Sequence, residues 1–302
     1  DGLIMKTKSL IIRNIKMYFS DKGMVFSSMI SPLILLVLYA TFLGGVFRDS
    51  FTEAMPQGFS LPENVIDATV AGQLLSSLIA VSCITVAFCS NMLCVQDKVT
   101  GARSDFGCAP VKSSTLSISY YTATAISTVM VLLIALAACL VYVKSVGWYM
   151  SAADILLLLA DILLLVLFGT ALSSIINIFI KTEGQMSAVS TIVCAGYGFI
   201  CGAYMPISSF GEGLRKVLSF LPGTYGTSLV RNHAMRGVLN EMSALGVPDE
   251  VIGGIMEAMD CKLYFFGTEV TQGAKYIWLA AAVAVLIGVY VLINIIKSRK
   301  SV

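Results

Sequence analysis

Uncharged apolar runs of about twenty residues recur along the chain, approximately at Met24 to Val46, Ala68 to Val95, Leu116 to Val143, Ile155 to Ile180, Met186 to Met205 and Ile277 to Ile296. A hydrocarbon layer about 30 Å thick needs about 20 apolar helical residues to cross it, so these runs predict six transmembrane helices. Ahead of the first run, residues 5–22 read as one more helix. It directs Ile11, Ile12, Ile15, Tyr18 and Phe19 to one arc and Arg13, Lys16 and Lys6 to another, the pattern of an amphipathic helix lying in the headgroup plane. Between the fifth and sixth runs, residues 206–274 carry helical patterning broken by Gly and Pro. Its last part, Asp249 to Phe266, puts Ile252, Ile255, Met256, Met259, Leu263 and Phe266 on one face after Pro248, which predicts an amphipathic helix. The expected fold class is an all-α membrane protein, a single domain over residues 1–302.

Composition agrees. Of the 302 residues 57% are hydrophobic and only 13% charged, with mean hydropathy +0.86. A soluble domain carries about 25% charged residues, so lipid must be the solvent for most of this chain, which disfavours a soluble enzyme, a nucleic-acid binder and a secreted disulfide scaffold. Net charge is only +2, but its distribution is informative. Lys6, Lys8, Arg13, Lys16, Lys22, Lys98, Arg103, Lys112, Lys181, Lys297, Arg299 and Lys300 fall on one side of the predicted topology, and the short connections on the other hold only Arg48 and Lys144. The excess of cations marks the cytoplasmic side, so both termini are expected there in a multi-pass protein of the cell membrane. Span 1 is longer than a signal-peptide core and follows a structured basic segment, so no cleavage is expected.

The cysteines form no framework. Cys83, Cys89, Cys94, Cys139, Cys194 and Cys201 fall in spans, Cys108 in a loop, and Cys261 in the outer segment, where it is a candidate for pairing between chains. With no CxxC and one histidine, His233, a structural zinc site is not expected. Nor does a GxxxxGK[ST] phosphate loop occur, so nucleotide cannot be held in the P-loop manner.

Candidate functional residues lie in three places. The loop after span 2, residues 95–115, mixes Asp97, Lys98, Gly101, Arg103, Asp105, Phe106 and Pro110, which reads either as a compact docking surface or as a solvated hairpin. Span 2 places Gln73, Ser76, Ala80, Cys83 and Ala87 along one face, a stripe that fits tight helix packing or a pore lining. In span 5, Gly198 and Gly202 form a GxxxG suited to close helix contact, and Tyr197 and Phe199 present aromatic surface beside them. Asp161 is the acidic residue deepest in a span; no basic partner is apparent in another span, and it is a candidate for a substrate-cation or proton site. Asp154 is expected near the outer interface, hydrated.

The order of these features resembles the membrane subunit of a type 2 ABC exporter. The resemblance rests on the basic N-terminal helix, the six spans, Lys98-x-x-Gly101-x-Arg103-x-Asp105 followed by Ala109-Pro110-Val111, Tyr204-Met205-Pro206, and Leu221-Pro222-x-Thr224-Tyr225 with Arg231. It implies that residues 95–115 seat in a groove of an ABC ATPase, two copies of which carry the ATP and magnesium. It further implies short helices dipping into the outer leaflet between spans 5 and 6, and a second permease copy, identical or related. Spans 2 and 5 of the two copies would enclose the path of a hydrophobic or amphipathic solute. No cofactor is expected on this chain and no nucleic acid among its partners. The other readings are a proton-coupled transporter using Asp161 and a non-transporting membrane sensor or scaffold.

Overall fold

A computed structural model describes residues 2–53, 61–108 and 111–299; Ala109 and Pro110 of the predicted docking loop lie outside them. Among the described residues the regular elements are helices, apart from one two-stranded hairpin. Five helical stretches are long and apolar enough to cross a membrane: Lys22–Val46, Glu63–Val99, Ser113–Val146, Ala152–Phe179 and Gln272–Ile296. The first combines α2 (Lys22–Leu38), a π-helical turn at Tyr39–Leu43 and the start of α3 (Gly44–Glu53). The second combines α4 (Glu63–Ser90) and α5 (Met92–Val99), while α7 (Ser113–Val146), α8 (Ala152–Phe179) and α13 (Gln272–Arg299) provide the others. The predicted fifth span forms α9 (Glu183–Ile200), a shorter helix whose first turn, Glu183 to Gln185, is polar; it is not among the five.

Helix α4 is the axis of the bundle. Every residue from Ala71 to Asn91 is buried, with α2, α7, α8, α9 and α11 (Pro222–Ala244) around it. Small residues make that crowding possible, because they let helix backbones approach. A methyl group on Gly169 of α8 would come within 2.8 Å of Ile84, and one on Gly72 within 3.2 Å of Met235.

Helix α1 (Gly2–Ser20) packs along α7 rather than standing alone. It ends at Asp21, whose carboxylate caps α2 by accepting from the Met24 N–H at 3.1 Å. Its buried arc holds Asn14 and Tyr18, with Ile11, Arg13 and Ile15 half-buried, while Lys16, Ile12 and Phe19 are exposed. The expected separation of Arg13 and Lys16 onto one basic arc therefore fails. Arg13 turns inward because a buried carboxylate awaits it.

Residues 206–274 depart most from expectation, because α11 stands inside the bundle. Its Gly226 abuts Leu165 of α8 and Leu279 of α13, its His233 meets Asp161 and Tyr276 of the same two helices, and its Gly237 abuts Tyr149. These rungs run in order from the interior of α8 to the α7–α8 connection. The Pro222 end of α11 is thus the deep one, and proline suits it because the first helical N–H needs no intrahelical acceptor. The chain reaches it through α10 (Glu212–Leu218).

The predicted helix from Asp249 to Phe266 is realised only as α12 (Asp249–Ala258). It stops at Asp260, whose φ of 53° breaks the helix. Strands β1 (Tyr264–Phe265) and β2 (Thr268–Glu269) then pair antiparallel around Phe266 and Gly267, both at positive φ, as a two-residue hairpin loop of the primed kind requires. The break has a reason. It turns the Met259, Asp260 and Cys261 carbonyls toward Arg231, Ser228 and Asn232 of α11.

Candidate functional site

At the end of the bundle carrying α1, the α4–α5 helix breaks at Asn91 and the chain folds into two short helices. These are α5 and α6 (Ala102–Cys108), separated by Gly101 at φ 85°, a conformation natural to glycine. Asn91 is pinned from several sides. Its amide donates to Ser173 Oγ at 2.9 Å and Ser174 Oγ at 3.0 Å, Thr124 donates to its side-chain oxygen at 3.4 Å, and Asn177 donates to its carbonyl at 3.0 Å. Two turns on, Lys98 Nζ donates to the Asn177 carbonyl.

Asp97 is buried at 2% exposure and collects three donors. Arg13 of α1 reaches it with Nη1 at 2.7 Å and Nη2 at 3.2 Å, and the Tyr120 hydroxyl of α7 donates to the same carboxylate. The hydrogen bond that Arg13 itself donates to Asp97, foremost, raises the Arg13 pKa above its ordinary value, so the guanidinium stays charged. It also lies over the Phe106 ring of α6, 5.1 Å from the centroid, adding a cation–π contact. Phe106 in turn packs with Cys94, Leu116, Tyr120 and Leu10. Arg103 donates to Cys94 Sγ at 3.7 Å, and Asp105 is exposed. Within the predicted loop, then, Asp97, Lys98 and Phe106 bind the short helices to the bundle, while Asp105 faces outward. Pro110 lies outside the described residues. Sequence reasoning missed Tyr120 and Asn91, which look like ordinary span residues.

The candidate path residues are placed differently. Gln73, Ser76, Ala80, Cys83 and Ala87 are fully buried, within a stretch of α4 that is packed on every side. Tyr197 is buried with its hydroxyl against Gly223 at the deep end of α11. Phe199 is 52% exposed and packs edge-on with Tyr204, ring centroids 5.1 Å apart. The Gly198-x-x-x-Gly202 motif does not form a helix crossing. Helix α9 ends at Ile200; Gly198 instead receives the ring of Tyr204, and Gly202 sits beyond the helix at φ 75° with its carbonyl accepting from Arg231 at 2.8 Å.

Asp161 has partners after all. His233 Nδ1 lies 2.6 Å from one carboxylate oxygen and the Tyr276 hydroxyl donates to the other, both groups coming from residues that sequence reasoning placed outside or at the rim of a span. Arg231 is completely buried. It donates to the carbonyls of Met259 at 2.7 Å and Gly202 at 2.8 Å and pairs with Asp260 at 3.3 Å. Burial pushes the Asp260 pKa up, against the pull of Arg231 and of the Ile207 and Ser208 N–H groups. Asp154, expected to be hydrated, is buried instead in a capping box with Ser151 and pairs with Arg236. Cys261 is 1% exposed, so pairing between chains is blocked in this conformation, and burial raises its pKa to about 11.

A large apolar cleft lies elsewhere, with a volume of about 1220 Å³. It is bounded by the second half of the first span, the end of α9 and α12.

A sequence model of the ABC-2 type transporter family matches residues 5–234, from α1 through most of α11. The chain belongs to the ABC-2 type transporter family. It is therefore a multi-pass membrane transport subunit of that family, and the match takes in α1, the α5–α6 pair and the buried α4. No curated protein sequence matches the chain.

Proposed function

We propose that this ABC-2 subunit is the gate of an ATP-driven exporter whose ATPases are separate polypeptides docked on α5 and α6. The observation that carries the reading is the Arg13–Asp97–Tyr120 knot, which fastens this short helix pair to α1 and α7 while leaving Asp105 on its surface. A force on the pair has rigid routes into the bundle, through Asp97 to α7 and through Asn91 and Lys98 to α8.

In this reading α9 is the sixth crossing, both termini are cytoplasmic, and the α1 end faces the cytoplasm, as the positive-inside rule supports. Two permease copies, identical or related, stand on two ATPases that hold ATP and magnesium. Closure of the ATPase pair pushes on α5 and α6, parts α4 from its neighbours and shifts access from the inner to the outer side. The fully packed stripe from Gln73 to Ala87 then becomes the wall of the path, with Tyr197 and Phe199 beside it. A hydrophobic or amphipathic solute moves outward. Asp161, its oxygens taken by His233 and Tyr276, serves as a lock on α11.

The test is purification of the chain from its own membranes in mild detergent, followed by proteoliposome transport. An ABC ATPase that accompanies the chain, hydrolyses ATP faster in its presence and drives solute export supports the reading. Ion-gradient-driven transport by the isolated chain contradicts it.

A further inference from the structure

Apart from Phe199, the lining of the apolar cleft plays no part in the transport reading. Its walls are hydrocarbon and aromatic, formed by Leu35, Phe42, Phe51, Phe199, Tyr204 and Met259 among others, and the charged group on its rim is the carboxylate of Glu250 on α12. No Lys, Arg or His lines it among the described residues. The π-helical turn at Tyr39–Leu43 supplies Phe42 and Leu43 to the wall, and such widened turns recur at functional sites. At about 1220 Å³ the cleft exceeds the roughly 300–1,000 Å³ of ordinary ligand pockets, which is room for a drug-sized molecule.

We propose that this cleft binds a lipophilic cation, a bulky apolar body bearing one delocalised or quaternary positive charge, and that Glu250 selects its sign. The apolar walls accept the body without cost to buried polar groups. The faces of Phe42, Phe199 and Tyr204 carry negative quadrupole density that attracts a weakly hydrated cation. Glu250 adds a full negative charge at the mouth, where an anion of the same shape is repelled. The assignment deepens the export reading by naming the solute class, and it rests on that reading only for the step from binding to transport.

The test uses two ions of one shape, tetraphenylphosphonium and tetraphenylborate, bound to the full chain in phosphatidylcholine nanodiscs without ATP and corrected against empty nanodiscs. Tetraphenylphosphonium should bind saturably. Glu250→Gln should weaken it about tenfold, the scale of about 1.4 kcal/mol in binding, and Glu250→Lys should abolish it while leaving tetraphenylborate unchanged or stronger. Gly254→Trp should remove binding by volume alone, since the site has space for a side chain. Glu250 is exposed, so its variants keep the fold, checked by their melting temperature. Cation binding indifferent to Glu250, cation binding that survives Gly254→Trp, or a cleft occluded by a second copy in the dimer fraction overturns the proposal. Cation binding with no ATP-driven transport defeats the export reading alone; ATP-driven export of anions by a chain that ignores tetraphenylphosphonium defeats this one alone.

Discussion

Arg13 and Asp97, 84 positions apart in sequence, form a two-pronged ion pair at 2.7 and 3.2 Å that ties the N-terminal helix to the start of the short helix pair. Asp97 is almost fully buried and Arg13 partly so. Replacing Asp97 with Asn removes the charge that Arg13 and Tyr120 share, a loss of about 1–3 kcal/mol, toward the low end because solvent screens the open side of Arg13. Thermal unfolding in detergent should show this loss, and limited proteolysis should show α1 released. The exchange of Arg13→Asp with Asp97→Arg should restore part of it; if Asp97→Asn unfolds and digests as the parent does, the knot holds nothing.

The Arg231–Asp260 pair predicts a non-additive cycle. Removing one member of a buried ion pair strands the other charge and costs about 3–5 kcal/mol, whereas removing both spares that penalty. Arg231→Met and Asp260→Asn should each destabilise the protein strongly, and the double variant should be more stable than the sum of the two predicts. Simple additivity in thermal unfolding would show that the pair is not coupled.

The Asp161 contact with His233 holds α11 against α8 and α13. His233→Leu leaves the Asp161 side chain with Tyr276 alone in a buried site, so it should lower stability by about 1–3 kcal/mol. The companion Asp161→Asn with His233→Leu should recover much of that loss. Hydrogen exchange over residues 222–244 provides the local readout; unchanged protection of α11 in His233→Leu would contradict the lock.

Cys261 provides a pH prediction. Its raised pKa, about 11, means that the folded thiol stays protonated where an unfolded thiol ionises. The sign is that of a group whose folded pKa lies above its unfolded value: its contribution to stability is full below the unfolded pKa of about 9 and is lost as pH rises through about 11. A membrane-impermeant maleimide at pH 7.5 should therefore leave Cys261 unmodified until the protein is denatured, and non-reducing gels should show no dimer linked through it. Rapid labelling of the folded protein would contradict its burial.

The hydrophobic runs were legible because a membrane crossing demands only length and apolarity, which composition displays directly. Polar partnerships were not, because they join residues brought together only by packing. On a helical wheel Arg13 sits with Lys16, and nothing local reveals the carboxylate at Asp97. His233 hid in a segment that reads as an exterior loop, since α11 enters the bundle on glycines at 223, 226 and 237 rather than on a long apolar run. The paired glycines at 198 and 202 misled for a related reason: spacing alone cannot show that the helix ends between them. Small residues on α4 are compatible with close packing and with a cavity, and in this structure the neighbours crowd that helix on every side. The break at Asp260 was invisible because its cause is the set of α11 donors.

The central claim is that a separate ATPase grips α5 and α6. The direct measurement is site-specific cross-linking from Asp105→Cys, carrying a photoreactive maleimide, in membranes of the source cell. The account predicts one dominant ATP-binding polypeptide joined at this position, with cross-linking that changes when ATP is trapped. Labelling of residue 105 by an impermeant reagent added outside intact cells, or cross-links that include no ATP-binding polypeptide, would contradict it.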